Sequence, residues 1–452
     1  MKQLGIPKGT RDFLPEQVAK RFYITDLIRK RFELFGFQPI ETPAMENLST
    51  LTGKYGAEGD QLLFRILNNR LYESKDKNLI RSEFEKILQG PINSEYISER
   101  ALRYDLTVPL ARFVVNHAND LVIPFKRYHI APVWRGDRPQ KGRYREFVQC
   151  DADIIGSDSL LGEIELIEIF QDVFDSLGLK VEILLNNRKI LSALCRIIDE
   201  EKNFYQIVAI VDKIDKTGKE NASTELSGLG LSQYKIDKLF TFIENNDLDL
   251  LANEFKNDPL GESGIKELKK VMSTTKSKSV KLDLSLARGI TYYTGIIYEV
   301  ICKEVKIGSI ASGGRYDDLT KLFGGQKYSG VGISFGIDRI YDVLNELDRY
   351  PEQLGQTTFA MFVNFGEKTE RLVLDCLRDL RSNNISSELY PDEAKVEKQL
   401  KFAKKKKIAF TILISEEEVN SNQARIKNMT TGEVIRTEIS GIAAFLKRPK
   451  PI

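Results

Sequence analysis

The sequence is poor in the residues from which metal and redox centres are built. Its four cysteines, Cys150, Cys195, Cys302 and Cys376, lie far apart, and no CxxC pair exists. That excludes a zinc knot, a thioredoxin-like motif and a disulfide scaffold. Two histidines, His117 and His129, are too few for a histidine-based metal site. No run of about 18 apolar residues occurs, so no helix should span a membrane. The start, Met1-Lys2-Gln3-Leu4-Gly5, lacks the apolar region of a secretory leader. A cytoplasmic, reduced, soluble protein is the expectation. Charge of one sign is missing too: 67 Lys and Arg face 65 Asp and Glu, for a net charge of +2. That balance does not exclude nucleic acid, because a basic surface can be offset elsewhere. The glycine loops that cradle phosphates are absent as well. Gly218-Lys219 runs into Glu220, so no GxxxxGK[ST] exists, and Gly330-Val331-Gly332 meets its next glycine at Gly336, one residue late for GxGxxG. If such a chain handles phosphates, arginines must do it.

What is present is ordinary globular material: 452 residues, 42% apolar and 29% charged, enough for about three domains of roughly 150 residues. Up to about residue 180, amphipathic helices alternate with strand-like runs. Helical spacing over 16–35 (Val18, Phe22, Leu27, Ile28, Phe32) stops at Gly36. Residues 37–43 read as an edge strand because Pro39 and Pro43 cannot join a central ladder. Strands are expected over 122–133 and 147–155 and a helix over 163–177. From about 190 to 280 the text is rich in Lys, Glu, Asp and Asn with a helical period, as in a helical insertion. Strand-like text returns over 280–303, followed by a glycine-rich stretch to 336 and a helix from Asp338. Past a linker at 349–355, an alternation of strands (358–365, 387–390, 408–414) and helices (370–382, 396–407) predicts a small α/β domain with a mostly parallel sheet. Residues 357–452 carry 17 basic against 13 acidic side chains, so this part is mildly basic. The run Lys404-Lys405-Lys406-Lys407 is either a solvated helix end or a phosphate contact.

Four blocks carry chemistry. The first is Trp134-Arg135-Gly136-Asp137-Arg138-Pro139-Gln140-Lys141-Gly142-Arg143-Tyr144-Arg145-Glu146-Phe147. Five cations on a turn between two strands can hold a triphosphate from several sides, since the guanidinium fork pairs bidentately with phosphate oxygens; the plain alternative is a solvated hairpin tip. The others are the Arg288-Gly289-Ile290-Thr291-Tyr292-Tyr293-Thr294-Gly295 block, Ser312-Gly313-Gly314-Arg315-Tyr316-Asp317, and the stretch from Gly330 to Arg339.

Together these blocks resemble the class II aminoacyl-tRNA synthetases, and within them the histidyl-tRNA synthetase family. Residues 37–43 resemble motif 1, 125–153 motif 2 with its loop, and 332–339 motif 3; the Arg288 and Ser312 blocks resemble the two histidine-specific motifs. The likeness runs along the whole chain, including Lys8-Gly9-Thr10-Arg11-Asp12-Phe13-Leu14-Pro15. It implies an α+β fold: a catalytic core on an antiparallel sheet flanked by helices (1–190 and 280–350), a helical insertion (191–279) and a C-terminal α/β anticodon-binding domain (357–452).

The resemblance also implies roles. Arg135 and Arg288 would flank the α-phosphate of ATP as catalytic residues that also touch histidine. Arg339 would stack on adenine and reach the terminal phosphates, with Phe147 on the other face. Asp137 and Arg143 would add ATP contacts. Asp105, Thr107 and Gln149 would hold the α-amino group of histidine, Asp153 would read the imidazole, and Tyr292 and Tyr293 would line the pocket. Arg138 and Gln140 would lie near the acceptor end of tRNA. ATP, with Mg2+, is implied as substrate rather than resident cofactor; no permanently bound cofactor is expected. L-histidine and the cognate tRNA are the other substrates, and motif 1 implies a homodimer. Two departures from the commoner bacterial pattern, Arg135-Gly136-Asp137 for Arg-x-Glu and Asp105-Leu106-Thr107 for Glu-Gly-Thr, preserve charge and resemble the eukaryote-like branch. Paralogues that regulate ATP phosphoribosyltransferase or sense uncharged tRNA share the fold, but they usually lose catalytic arginines or the C-terminal domain. Here Arg135, Arg288, Arg339 and that domain's sequence are present. A synthetase for another amino acid is opposed by the Arg288 and Gly313 blocks.

Overall fold

The computed structural model describes residues 5–90, 94–288, 291–351, 354–355 and 358–447. Gly289 and Ile290 of the Arg288 block, Met1 to Leu4 at the start and residue 357 at a proposed boundary lie outside the described residues. Chain contacts divide the molecule into a larger unit, made of the residues up to 14 and those of 18–350, and a smaller one, made of residues 15–17 and those from 351 on.

The larger unit is organised by an eight-stranded sheet. Its strands are β1 (Gln38–Pro39), β5 (Phe125–Trp134), β6 (Glu146–Ile155), β7 (Val181–Asn187), β8 (Val280–Leu282), β9 (Ile296–Cys302), β10 (Ala311–Tyr316) and β11 (Gly330–Gly336), in the order β1-β5-β6-β11-β10-β9-β7-β8. All internal pairings are antiparallel; only β1 and β8 join in parallel, at the two edges. Residues β2 (Met45–Asn47), β3 (Arg65–Ile66) and β4 (Arg100–Leu102) form a separate three-stranded sheet that the sequence reading did not anticipate.

Strand alternation sends successive side chains to opposite faces. On one face Tyr128, Cys150, Ala152, Ile154, Ile333 and Phe335 meet Ile24, Ile28 and Phe32 of the Pro15–Leu34 helix and Leu166 to Phe174 of the Leu161–Ser176 helix. Phe335 is fully buried and lies 5.9, 5.3 and 5.6 Å, ring to ring, from Phe32, Phe170 and Phe174. Burying each such ring is worth about 1.5–3 kcal/mol. The Pro15–Leu34 helix ends where expected, with Gly36 at φ +80°. The helices between Arg188–Ile197 and Pro259–Thr274 contribute Ile190, Leu239 and Leu268 to this same core. The helical segment therefore shares its core with the sheet.

Two expectations need correction. The strand-like run 280–303 is broken: β8 stops at Leu282, β9 starts at Ile296, and the intervening loop carries Arg288, Tyr292 and Tyr293. In the smaller unit the sheet is mixed, not mostly parallel. Strands β12 (Ala360–Phe362), β13 (Ser387–Leu389) and β14 (Phe410–Leu413) pair in parallel, but β15 (Gln423–Asn428) and β16 (Val434–Glu438) add an antiparallel hairpin, giving the order β13-β12-β14-β15-β16. In that hairpin β15 has only two buried apolar residues, Ala424 and Ile426, between half-buried polar ones, and β16 alternates exposed with half-buried residues, so the apolar period is faint in the sequence. Lys404 and Lys405 end the Val396–Lys405 helix, and Lys406 pairs with Glu388.

Candidate active site

The other face of the large sheet is polar, and its registers show why. Across β5, β6, β11 and β10, Arg127 lies beside Asp153, Gly332 and Gly314; one step along, His129 lies beside Asp151, Ser334, Ser312 and, on β9, Glu299; next come Ala131, Gln149 and Gly336. Residues two apart on one strand share a face, so charged and small side chains form a floor. The Thr107–Asn116 helix packs against Phe125 and Ile155 on this face, with Tyr292 and Tyr293 beside it.

At one end the floor is acidic. Asp105, 3% exposed, accepts hydrogen bonds from the Tyr55 hydroxyl (3.1 Å), the Val108 N–H (3.0 Å) and the Tyr292 hydroxyl (3.2 Å). Burial pushes its carboxyl up; the Val108 N–H and the nearby Arg135 pull it back. Thr107 begins the adjoining helix. Gln149 donates to Ser334 Oγ at 2.7 Å, and its Oε1 is buried without a partner among the described residues. Asp153 is paired with fully buried Arg127 at 2.6 Å and accepts the Tyr316 hydroxyl. Tyr292 packs 5.0 Å from Tyr293 and edge-on to Tyr316 at 6.1 Å. Two glycines make room. A Cβ on Gly314 would come 2.7 Å from the Tyr293 ring, and one on Gly332 would collide with Asp153 Oδ1.

At the other end the floor is cationic. Arg135 follows β5 directly; its Nε donates to the Tyr104 carbonyl (3.1 Å), and its guanidinium lies over the rings of Tyr104 (4.3 Å) and Phe147 (5.2 Å). Arg288 donates to Ser312 Oγ (2.9 Å) and pairs with Glu299 (3.2 Å), while its Nε has no partner among the described residues. Burial disfavours its charge, but Glu299, Tyr293 and Asp212 outweigh that and raise its pKa. Arg339, in the first turn of the Ile337–Glu346 helix, donates to the carbonyls of Gly142 (2.7 Å) and Ser309. Burial, then Arg143 and Arg135, lowers its pKa. Three like charges held this close favour a polyanion between them. Arg143 and Asp137 face each other at 3.6 Å across a turn closed by paired backbone bonds between Gln140 and Arg143. Arg138 and Gln140 point to solvent at its tip.

The structure thus gathers Asp105, Thr107, Asp153, Tyr292 and Tyr293 around one end of this face and Arg135, Phe147, Arg143, Asp137 and Arg339 around the other, with Gln149 and Arg288 on the rows between. It also adds residues that sequence reasoning passed over. Tyr55, Arg127, Tyr316, Ser334 and Glu299 hold the predicted ones. Tyr316 stood inside a quoted block, whereas Tyr55 had no motif to mark it. Asp338 ties three segments together: it accepts from Arg11, from Arg21 (2.5 Å) and from the Val148 N–H (2.9 Å). Arg11 also stacks on Tyr144 at 3.3 Å, so the N-terminal block braces the arginine-rich loop against the helix of Arg339. Among the described residues, no three His, Cys, Asp or Glu side chains cluster as metal ligands, and no helix is long and apolar enough to cross a membrane.

The chain is similar to known proteins along its length. Residues 98–340 match the model of the histidyl-tRNA synthetase family and residues 360–448 that of an anticodon-binding domain. A histidine–tRNA ligase of Phocaeicola vulgatus is 49% identical over 440 residues, covering 95% of this chain and 96% of that protein. The crystal structure of histidyl-tRNA synthetase from a Nostoc species superposes with a TM-score of 0.79 at 27% identity, covering 99% of each chain. An ATP phosphoribosyltransferase regulatory subunit/histidyl-tRNA synthetase of Bacillus halodurans shares the fold, with a TM-score of 0.70 at 21% identity over 88% of this chain and 96% of that one.

Proposed function

This chain belongs to the histidyl-tRNA synthetase family, and from that premise we propose how its residues divide the work. The reaction has two steps. L-histidine is activated by ATP to histidyl-adenylate with release of pyrophosphate, and the histidine is then transferred to the 3′ end of its cognate tRNA.

In activation a carboxylate oxygen of histidine attacks the α-phosphorus and the bond to pyrophosphate breaks. Negative charge builds on the α-phosphate oxygens, so catalysis is mostly positioning and charge stabilisation. Arg135 and Arg288 meet that charge from two sides. Arg339 stacks on adenine opposite Phe147 and holds the terminal phosphates with Arg143, which Asp137 orients. Mg2+ accompanies ATP as part of the substrate. Asp105, Thr107 and Gln149 accept the α-ammonium group, to which the unpartnered Gln149 Oε1 is suited. Asp153, steadied by Arg127 and Tyr316, reads the imidazole beside Tyr292 and Tyr293. An analogue lacking the imidazole N–H would leave buried polar atoms unpaired, which is the basis for rejecting it. Exposed Arg138 and Gln140 meet the acceptor end of tRNA, the unit from residue 357 reads the anticodon, and the protein works as a cytoplasmic homodimer.

The observation that carries this reading is the opposition of buried acids and three converging arginines along one sheet face, matching a zwitterionic amino acid at one end and a triphosphate at the other. ATP–pyrophosphate exchange by the purified protein, with and without histidine and without tRNA, tests it. Exchange that requires histidine and no other amino acid is expected. No exchange from folded protein would move the reading to a regulatory or tRNA-sensing role.

A further inference from the structure

Arg288 does not set its own backbone shape. Its φ of +56° lies in the left-handed region that residues with a Cβ avoid, so surrounding contacts must impose it. Those contacts come from the helical segment. Asp212, at the C-terminal end of the Phe204–Val211 helix, accepts the Arg288 N–H on Oδ1 at 2.7 Å. Arg188, the first residue of the Arg188–Ile197 helix and 4% exposed, donates from Nη1 to the carbonyls of Ala287 (3.0 Å) and Arg288 (3.3 Å). The Arg188 N–H donates to the Gly295 carbonyl at 2.9 Å, at the far end of the same loop. The Phe204 ring, 4.9 Å away, backs the Arg188 guanidinium.

Both residues also stand against local preference. An acid at a helix C-terminus and a cation at a helix N-terminus each oppose the helix dipole. Sequences keep such local conflicts where another requirement outweighs them. Here the requirement is visible: one carboxylate and one guanidinium hold the peptides on either side of the Arg288 Cα.

We propose that Asp212 and Arg188 are positioning residues for histidine activation, through which the helical segment sets the direction of the Arg288 guanidinium. The proposal rests on the reading that Arg288 acts at the α-phosphate. Without the clasp the loop relaxes to an ordinary φ, and the guanidinium leaves the line between Ser312 and the reacting phosphorus. The bonds to substrate made by Asp105, Gln149 and Phe147 do not change, so the loss falls on turnover rather than on ground-state binding.

The test is ATP–pyrophosphate exchange with the full chain. Asp212→Ala should lower kcat about 10-fold, with KM for histidine and for ATP changed less than about twofold. Asp212→Asn keeps an acceptor of the same shape and should recover most of kcat, which separates the hydrogen bond from any loss of fold. Combining Asp212→Ala with Arg288→Ala should cost no more than Arg288→Ala alone, because the two act through one group. Wild-type kcat in Asp212→Ala, failure of Asp212→Asn to recover activity, or losses that multiply in the double variant would each overturn the proposal. Wild-type kcat in Arg288→Ala alone would instead overturn the role given to Arg288.

Discussion

The two faces of the large sheet are made by the same strands and differ by one residue of register. On β5, β6 and β11 one face offers Tyr128, Cys150, Ala152, Ile333 and Phe335; the other offers Arg127, His129, Gln149, Asp151, Asp153 and Ser334. The apolar face stabilises by burial that has no direction. The polar face buries charges, which is costly unless each finds a partner. Arg127 is wholly buried and has Asp153; Asp151 Oδ1 and His129 Nδ1 have no partner among the described residues. Stability on one side thus offsets the strain of holding a reactive surface on the other.

The separation can be broken by substitution. On the apolar side Phe335→Ala should cost about 3–5 kcal/mol of stability, seen in denaturant unfolding, while exchange activity per folded molecule stays near wild type. Lost activity at unchanged stability would show that the faces are not independent. On the polar side Arg288→Ala should do the reverse: kcat for activation should fall about 100-fold, with a stability loss smaller than that of Phe335→Ala. Unchanged turnover would remove Arg288 from the chemistry.

The polar face also carries two buried groups whose effects on stability oppose each other with pH. Burial, opposed by Arg127, pushes the Asp151 carboxyl up from 3.8 to about 7. Between those values the native state holds a proton that the unfolded chain has lost, so this residue makes stability fall as pH rises. Burial, then Arg127 and Arg103, pushes His129 down from 6.5 to about 3. There the unfolded chain holds the extra proton, and stability rises with pH. From about pH 4 to 6.5 the two slopes cancel. His129→Gln should unmask the first slope, a loss of about 1.4 kcal/mol from pH 5 to pH 6, and Asp151→Asn an equal gain. Urea unfolding at the two pH values reads both, and flat results in both variants would refute these protonation states. The smallest effect is expected at the exposed tip: Arg138→Ala should leave exchange unchanged and slow tRNA charging only a few-fold, about the loss of one phosphate contact. An equal loss in exchange would place Arg138 in the ATP site instead.

Much of this molecule was legible beforehand for particular reasons. The Pro15–Leu34 helix and its glycine stop follow from period and chirality, and the β5–β6 hairpin follows from two apolar runs around a polar turn. β7, a seven-residue strand just after Gly178, went unread because a short apolar run has no decisive period. The three-stranded sheet was missed because its strands are two or three residues long. The candidate site residues named from the sequence sat in the four blocks or in the stretches that carry the family resemblance, such as Asp105-Leu106-Thr107. Arg127 and Asp212 are single residues whose importance comes from what lies across space, and no spacing announces them.

By itself the sequence determined which residue types were available: arginines in place of glycine phosphate loops, too few histidines and cysteines for a metal centre built on them, and alternating strands that must bury one face. Those follow from local chemistry and period. Only the tertiary structure decided that Arg127 neutralises Asp153, that Asp105 gathers two tyrosines separated by more than two hundred residues, and that a helical segment sets the backbone of Arg288. These are long-range pairings. Their energy depends on distance and burial, and both exist only once the sheet has closed.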